Sequence, residues 1–197
     1  MKIPEIAIIR YNAGNVESVR NAIQRLGADA VVTDDADLLR SAKRVIFPGV
    51  GEASSAMARL RGNGLAELIP TLTQPVLGIC LGMQLLCAVS DENDAGCLGV
   101  LPYRVRRFQS EELKIPHVGW NRIKRLNGPL FDGVDEGSHV YFVHGFFVPT
   151  VAESIASCDY GGEFSAAVAH RNFFATQFHP EKSGETGERI LANFLKI

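Results

Sequence analysis

Apolar residues fall along this chain in two rhythms. In the first half, short unbroken apolar runs alternate with longer stretches whose apolar positions recur every three or four residues. Residues 5–10 read as a buried strand. Val16, Val19, Ile23 and Leu26 then line one face of a helix over 16–26, which Gly27 stops. Residues 28–33 form the next strand, 34–41 a short helix, and 44–47 a third strand ended by Pro48-Gly49-Val50-Gly51. A helix through Met57 and Leu60 and a second apolar helical piece at 65–72 follow. Residues 76–79 make a fourth strand, which runs straight into a helix expected over 81–89. Apolar strands alternating with helices imply right-handed crossovers and a mostly parallel sheet covered on both faces.

The second half reads differently. Short runs at 99–105, 122–124, 140–143, 155–158, 164–169 and 173–178 are strands separated by turn signals, with Gly161-Gly162 and Arg171-Asn172 as tight connections. A final helix over 185–196 places Ile190, Leu191, Phe194 and Leu195 on one face. No Pro/Ser-rich linker, repeat or low-complexity tract divides the chain. The expectation is one α/β domain over 1–197, a three-layer sandwich whose mostly parallel central sheet gains antiparallel strands on its C-terminal side.

Composition narrows the chemistry. The 197 residues are 46% hydrophobic and 21% charged, ordinary for a soluble globular protein, with a net charge of −2. So small a charge offers no electrostatic attraction to nucleic acid or an anionic membrane. No stretch approaches the ~20 apolar residues of a spanning helix, and the first residues carry neither a long apolar run nor a cleavage site, so a cytoplasmic protein is expected. The four cysteines form no CxxC pair, and no His stands at zinc-ligand spacing, so reduced thiols and no metal are expected. No Walker A or GxGxxG pattern occurs, and no cofactor is expected.

In open α/β sheets, sites form at the carboxyl ends of the strands. One such end is Gly78-Ile79-Cys80-Leu81-Gly82, a G-x-C-x-G version of the nucleophile elbow. There the thiol would sit at a helix N-terminus, and the Leu81 N–H would serve as an oxyanion donor. The bare pattern suits a buried structural cysteine equally well. A second strand end carries Phe178-His179-Pro180-Glu181. Residues two apart in extended chain share a side, so Glu181 can orient one nitrogen of His179 and leave the other for a nucleophile. Alone, His-Pro-Glu would be a solvated surface turn. Pro48–Gly51 at a third strand end can bring a backbone N–H close to a substrate as a second oxyanion donor.

With these residues together, the sequence resembles the class I, triad-type glutamine amidotransferases. Within them it is similar to the glutaminase subunits of imidazole glycerol phosphate synthases. The likeness is carried by GICLGMQLL (78–86), FHPEKSG (178–184), PGVG (48–51), YNAGN (11–15) and PHVGWN (116–121), which span nearly the whole chain in order. It implies that Cys80 is the nucleophile, His179 the general base and then acid, and Glu181 its orienter. Leu81 and Val50 would supply the oxyanion N–H groups, and Gly51 and Gln84 would help hold glutamine. Asn12, Asn15, Trp120, Tyr141 and Lys182 fall where that family meets a (β/α)₈-barrel cyclase, with which a heterodimer is implied.

The chain departs from the family where His144-Gly145-Phe146 replaces the frequent His-Ser-Tyr, and where Glu52-Ala53 follows PGVG. The first departure leaves the role of His144 open. Cys87, Cys97 and Cys158 are read as structural, Cys87 as two turns beyond Cys80 on one helix. Other readings are a different triad-type glutaminase, a stand-alone cysteine peptidase or γ-glutamyl hydrolase, and a non-catalytic binding module.

Overall fold

The computed structural model describes residues 3–11 and 15–197. The chain begins with β1 (Ile6–Ile9), α1 (Val16–Arg25), β2 (Ala30–Thr33), α2 (Ala36–Ser41) and β3 (Arg44–Gly49). It continues through α3 (Ala53–Gly62), α4 (Leu65–Leu68), β4 (Val76–Cys80) and α5 (Leu81–Leu85). Shorter strands follow: β5 (Cys87–Ser90), β6 (Ala95–Gly96), β7 (Leu101–Arg107), β8 (His117–Arg122), β9 (His139–His144) and β10 (Phe146–Phe147). The last elements are β11 (Ser154–Asp159), β12 (Glu163–His170), β13 (Phe173–Thr176) and α6 (Gly184–Phe194).

A seven-stranded sheet runs in the order β11-β12-β13-β4-β3-β1-β2. From β13 to β2 all neighbours are parallel, while β11, β12 and β13 pair antiparallel. Because side chains alternate across a strand, the central strands are apolar on both faces. Ala7, Ile9, Val45, Phe47 and Val76 pack with Met57 and Leu60 of α3, Leu65 of α4 and Met83 of α5. On the opposite face Ile6, Ile8, Ile46, Leu77 and Ile79 meet Val19 and Ile23 of α1, Ile190 and Phe194 of α6, and Phe142 of β9. This is the expected layered architecture, and the turns at Gly161-Gly162 and Arg171-Asn172 do join antiparallel strands.

Two expected elements differ. The helix after Cys80 ends at Leu85, and Cys87 opens strand β5 instead of lying two turns along a helix. The chain leaves the helix because the carbonyls of Leu86, Cys87 and Ala88 accept hydrogen bonds from the N–H groups of Leu101, Gly99 and Cys97, which build a small side sheet. Cys87 is nonetheless fully buried in the core. The second difference is β8, which occupies His117–Arg122 and pairs with β9, whereas the sequence pattern predicts the strand at 122–124. Its pattern is inverted: His117 is buried while Val118 and Trp120 face outward, so alternation pointed away from a strand.

Gly82 controls how closely α5 approaches the sheet. A Cβ there would lie 2.0 Å from the Phe47 carbonyl oxygen of β3, a clash with rigid backbone. Gly82→Ala is therefore expected to lower the unfolding free energy by about 1–3 kcal/mol or more, read as a fall in the urea midpoint at unchanged slope.

Candidate active site

The parallel strands β1, β3, β4 and β13 end on the same side of the sheet. Cys80 is the last residue of β4 and is followed at once by α5, with φ 53° and ψ −108°. A non-glycine residue held there stores about 1–3 kcal/mol of strain, which flanking strands and the close packing of Gly82 must restrain. Since α5 has only five residues, the positive field at Cys80 comes from its first free N–H groups and not from a long helix dipole. The side chain is buried to 7% exposure. Its sulfur lies 3.8 Å from the Val143 carbonyl oxygen, to which the thiol donates, and 3.8 Å from Nε2 of Gln177, which donates to it.

His179 follows β13, with its backbone N–H donating to the Tyr141 carbonyl of β9. Its Nδ1 lies 2.8 Å from Oε1 of Glu181, and both side chains are almost wholly buried, at 2% and 1% exposure. A carboxylate accepts, so Nδ1 carries a proton and Nε2 is left toward the cavity. Nε2 is buried and has no hydrogen-bond partner among the described residues. Burial alone would pull the pKa of this imidazole down. The neighbouring Cys80 sulfur and the Glu181 carboxylate outweigh it and raise the value to about 10. The sulfur is thus close enough to act on the ring's charge.

The turn that presents His179 is latched from both sides. Ser183 Oγ donates to the His179 carbonyl at 2.6 Å and accepts from the Tyr141 N–H at 3.0 Å. The helix α6 seats directly beneath: a Cβ on Gly187 would lie 1.9 Å from the Pro180 carbonyl oxygen.

Cys80 and His179 open onto one cavity of about 360 Å³, together with Val50, Gly51, Leu81 and Gln84. Every catalytic and substrate residue expected from the sequence therefore borders this space except Glu181, which stands behind His179. The loop at 48–51 is tied down by Tyr11, whose hydroxyl donates to the Pro48 carbonyl at 2.9 Å. Glu52 caps α3, accepting from the Ser54 and Ser55 N–H groups and from Asn93 Nδ2. The Ser54 hydroxyl and Asn93 lower its pKa to about 2. The Glu52 departure thus supports the loop's exit.

His144 also lines the cavity. Its Nδ1 lies 2.7 Å from the Phe146 carbonyl, an acceptor, so Nδ1 holds the proton and Nε2 accepts from Nδ1 of His117 at 3.2 Å. His117 Nε2 in turn faces Asn121 Nδ2 at 3.4 Å. Burial lowers the pKa of His117 to about 4 and, with the charges of His117 and His179 adding to it, that of His144 to about 3.

Of the expected partner-facing residues, Trp120 is 56% exposed and Lys182 is exposed, while Tyr141 and Asn15 are half-buried. Asn12 lies outside the described residues. Trp120 and Tyr141 are cross-strand neighbours on the β8–β9 ribbon, as are Val118 and Val143, both also exposed. Sequence reasoning missed Glu92, among the described residues the one carboxylate bordering the cavity. It also missed Gln177, His117 and Ser183. Ser183 lay inside the quoted FHPEKSG motif; Glu92 and Gln177 sit in no pattern that separates them from surface polar residues. Among the described residues no cluster of His, Cys, Asp and Glu suited to a metal occurs, and no helix is long and apolar enough to cross a membrane.

Comparison with known proteins identifies the family and the fold. The family model "Glutamine amidotransferase class-I" matches residues 7–197. The chain is 53% identical to the imidazole glycerol phosphate synthase subunit HisH of Bacteroides thetaiotaomicron, over 98% of this chain and 100% of that one. It is 49% identical to the HisH subunit of Xylella fastidiosa, over 98% of each. Among solved structures, a glutamine amidotransferase superposes with a TM-score of 0.75 at 20% identity, covering 98% of this chain and 97% of that one. The PurLQS structure from Thermotoga maritima gives 0.75 at 18% identity, covering 99% of each. The fold is that of the class I glutamine amidotransferases.

The two lowered histidines set a pH dependence. Below pH 6.5 the unfolded chain takes up protons on rings that the folded chain keeps neutral. Stability therefore falls as the pH drops from about 6.5 toward 4, by at most about 1.4 kcal/mol per pH unit for each proton. His179 has the opposite sign: its contribution is present below pH 6.5 and is lost as the pH rises through about 10. Urea unfolding across pH 4–7 is expected to show the acid-side fall, with a shallower slope in His117→Gln.

Proposed function

Because the chain belongs to the class I glutamine amidotransferases, in their HisH branch, we propose that Cys80, His179 and Glu181 are its catalytic triad and that residues 1–197 act as one glutaminase domain. The protein hydrolyses glutamine and supplies ammonia to the synthase of which it is a subunit, in histidine biosynthesis. The observation that carries the triad is the buried, partnerless Nε2 of His179 beside the Cys80 sulfur, backed by Glu181 at 2.8 Å.

The sulfur of Cys80, having given its proton to His179, attacks the carboxamide carbon of glutamine. The carbonyl π electrons move to oxygen, and N–H groups of Leu81 and of the Val50–Gly51 peptide receive that charge. Each such donor contributes about 10²–10³ in rate. The C–N bond then breaks, the His179 proton goes to the departing nitrogen, and ammonia leaves a γ-glutamyl thioester on Cys80. Water, giving a proton to His179, attacks the thioester and releases glutamate and the sulfur. The raised pKa of His179 supports this order, since the ring holds its proton until a leaving group takes it. Glu92 stands on the cavity wall with Oε2 accepting from the Ala53 N–H at 2.7 Å. Its charge suits the α-ammonium of glutamine, while Gln84 and Gly51 border the same space. No cofactor takes part in these steps.

A free amine in neutral water is protonated and no longer nucleophilic, so ammonia needs a sheltered path to the second subunit. We assign that subunit's docking face to the outer side of the β8–β9 ribbon with Lys182, and its fold to a (β/α)₈-barrel cyclase. Val143 lines the cavity, and the aromatic and aliphatic pairs Trp120–Tyr141 and Val118–Val143 leave apolar area in solvent, as an interface core does. A cytoplasmic setting suits chemistry that needs a free thiol.

In the assembled synthase, Cys80→Ala is expected to lower glutamine-dependent synthesis by at least roughly 10⁴-fold while synthesis from added ammonium salt persists; loss of both would make Cys80 structural. Trp120→Ala is expected to raise the Kd for the cyclase by roughly tenfold or more, measured by calorimetry. An unchanged Kd in both Trp120→Ala and Lys182→Ala would move the interface elsewhere.

A further inference from the structure

Gln177 is fully buried at the end of β13 and belongs to none of the motifs above. The register pairs Thr176 with Ile79, so the next residues along these parallel neighbours, Gln177 and Cys80, stand side by side. The Gln177 backbone N–H donates to the Ala166 carbonyl of β12 at 2.8 Å, which holds the residue to the sheet. Its side chain reaches the sulfur: Nε2 lies 3.8 Å from Sγ of Cys80.

Which end of the amide faces the sulfur is settled by its neighbours. Gln84 Nε2 donates to the Phe146 carbonyl at 2.9 Å and to Gln177 Oε1 at 3.0 Å. The Phe146 carbonyl can only accept, and it also receives Nδ1–H of His144 at 2.7 Å. That fixes the amino end of Gln84. Gln177 must then turn its oxygen to Gln84 and its amino group to Cys80, since the reverse would set two amino groups against each other.

We propose that Gln177 is a further member of the catalytic machinery, a buried N–H donor that stabilises and aims the Cys80 sulfur once it is an anion, and that Gln84 is its positioning residue. A thiolate can no longer donate to the Val143 carbonyl, whereas the Gln177 N–H, like the protonated His179, interacts more strongly with the sulfur on ionisation. The same donor meets the sulfur again when the thioester is hydrolysed and the anion returns. This inference rests on Cys80 being the nucleophile of the glutaminase reaction.

The test uses the full-length chain and its synthase complex. Cys80 alkylation by iodoacetamide and glutamate release from glutamine are followed against pH in wild type, Gln177→Glu and Gln177→Met. Gln177→Glu keeps an oxygen for Gln84 but sets an acceptor or a negative charge against the sulfur; Gln177→Met keeps the bulk without a donor. Glutaminase kcat is expected to fall roughly 10- to 100-fold in both, with KM for glutamine little changed. The acidic limb of the alkylation profile is expected to move up by about one pH unit or more in Gln177→Glu, and less in Gln177→Met. Thermal unfolding identifies folded variants, and either one suffices. Profiles that coincide with wild type in a folded variant overturn the inference alone. A wild-type chain that neither releases glutamate nor reacts at Cys80 overturns the reading of the site and this inference with it.

Discussion

The bend at Cys80 is the constraint on which the rest of the structure depends. A non-glycine residue at φ 53° and ψ −108° persists only where its surroundings hold it. Here β3 and β13 clamp β4 from both sides along the sheet, and α5 lies against the Phe47 carbonyl at a distance only Gly82 permits. The strand that carries the sulfur and the strand that leads to the imidazole are direct neighbours, so residues far apart in sequence meet at one sheet end. Catalytic geometry is thus inherited from strand order, and the loops add the finishing groups.

Burial acts on all the histidines near the cavity, yet their charge states diverge. His179 has a carboxylate on one nitrogen and a sulfur near the other, and its pKa rises; His144 and His117 have a carbonyl, an amide and each other, and theirs fall. The same partner logic separates the thiols. Cys87 and Cys158, buried among apolar groups, are pushed up to about 12, which makes them unreactive packing. Desolvation sets the stakes, and the partner's charge decides the outcome.

Much of this was legible in the chain. The parallel core was readable because β1, β3 and β4 are uninterrupted apolar runs and because α1 carries Val19 and Ile23 on one face. The elbow and the His-Pro-Glu turn were readable because each needs unusual residues at fixed spacing. What escaped depends on contacts between distant segments. Helix α5 stops early because residues 97–101 return to claim the next carbonyls. Strand β8 turns its apolar side chains outward, so periodicity pointed the wrong way. Gln177 and Glu92 carry no local signature, since an amide or a carboxylate becomes special only through what the fold sets beside it.

The seat of α6 beneath the His179 turn has a consequence for how the chain tolerates trimming. No atom of that helix borders the cavity, yet Gly187 rests on the Pro180 carbonyl and Ile190, Leu191 and Phe194 fill one face of the sheet. A stop codon or protease cut just past Ser183 would remove the floor under the base and, with it, the apolar cover of one face of the nucleophile strand. The carboxyl terminus is a structural keel, shared by the base and the strand that carries the sulfur.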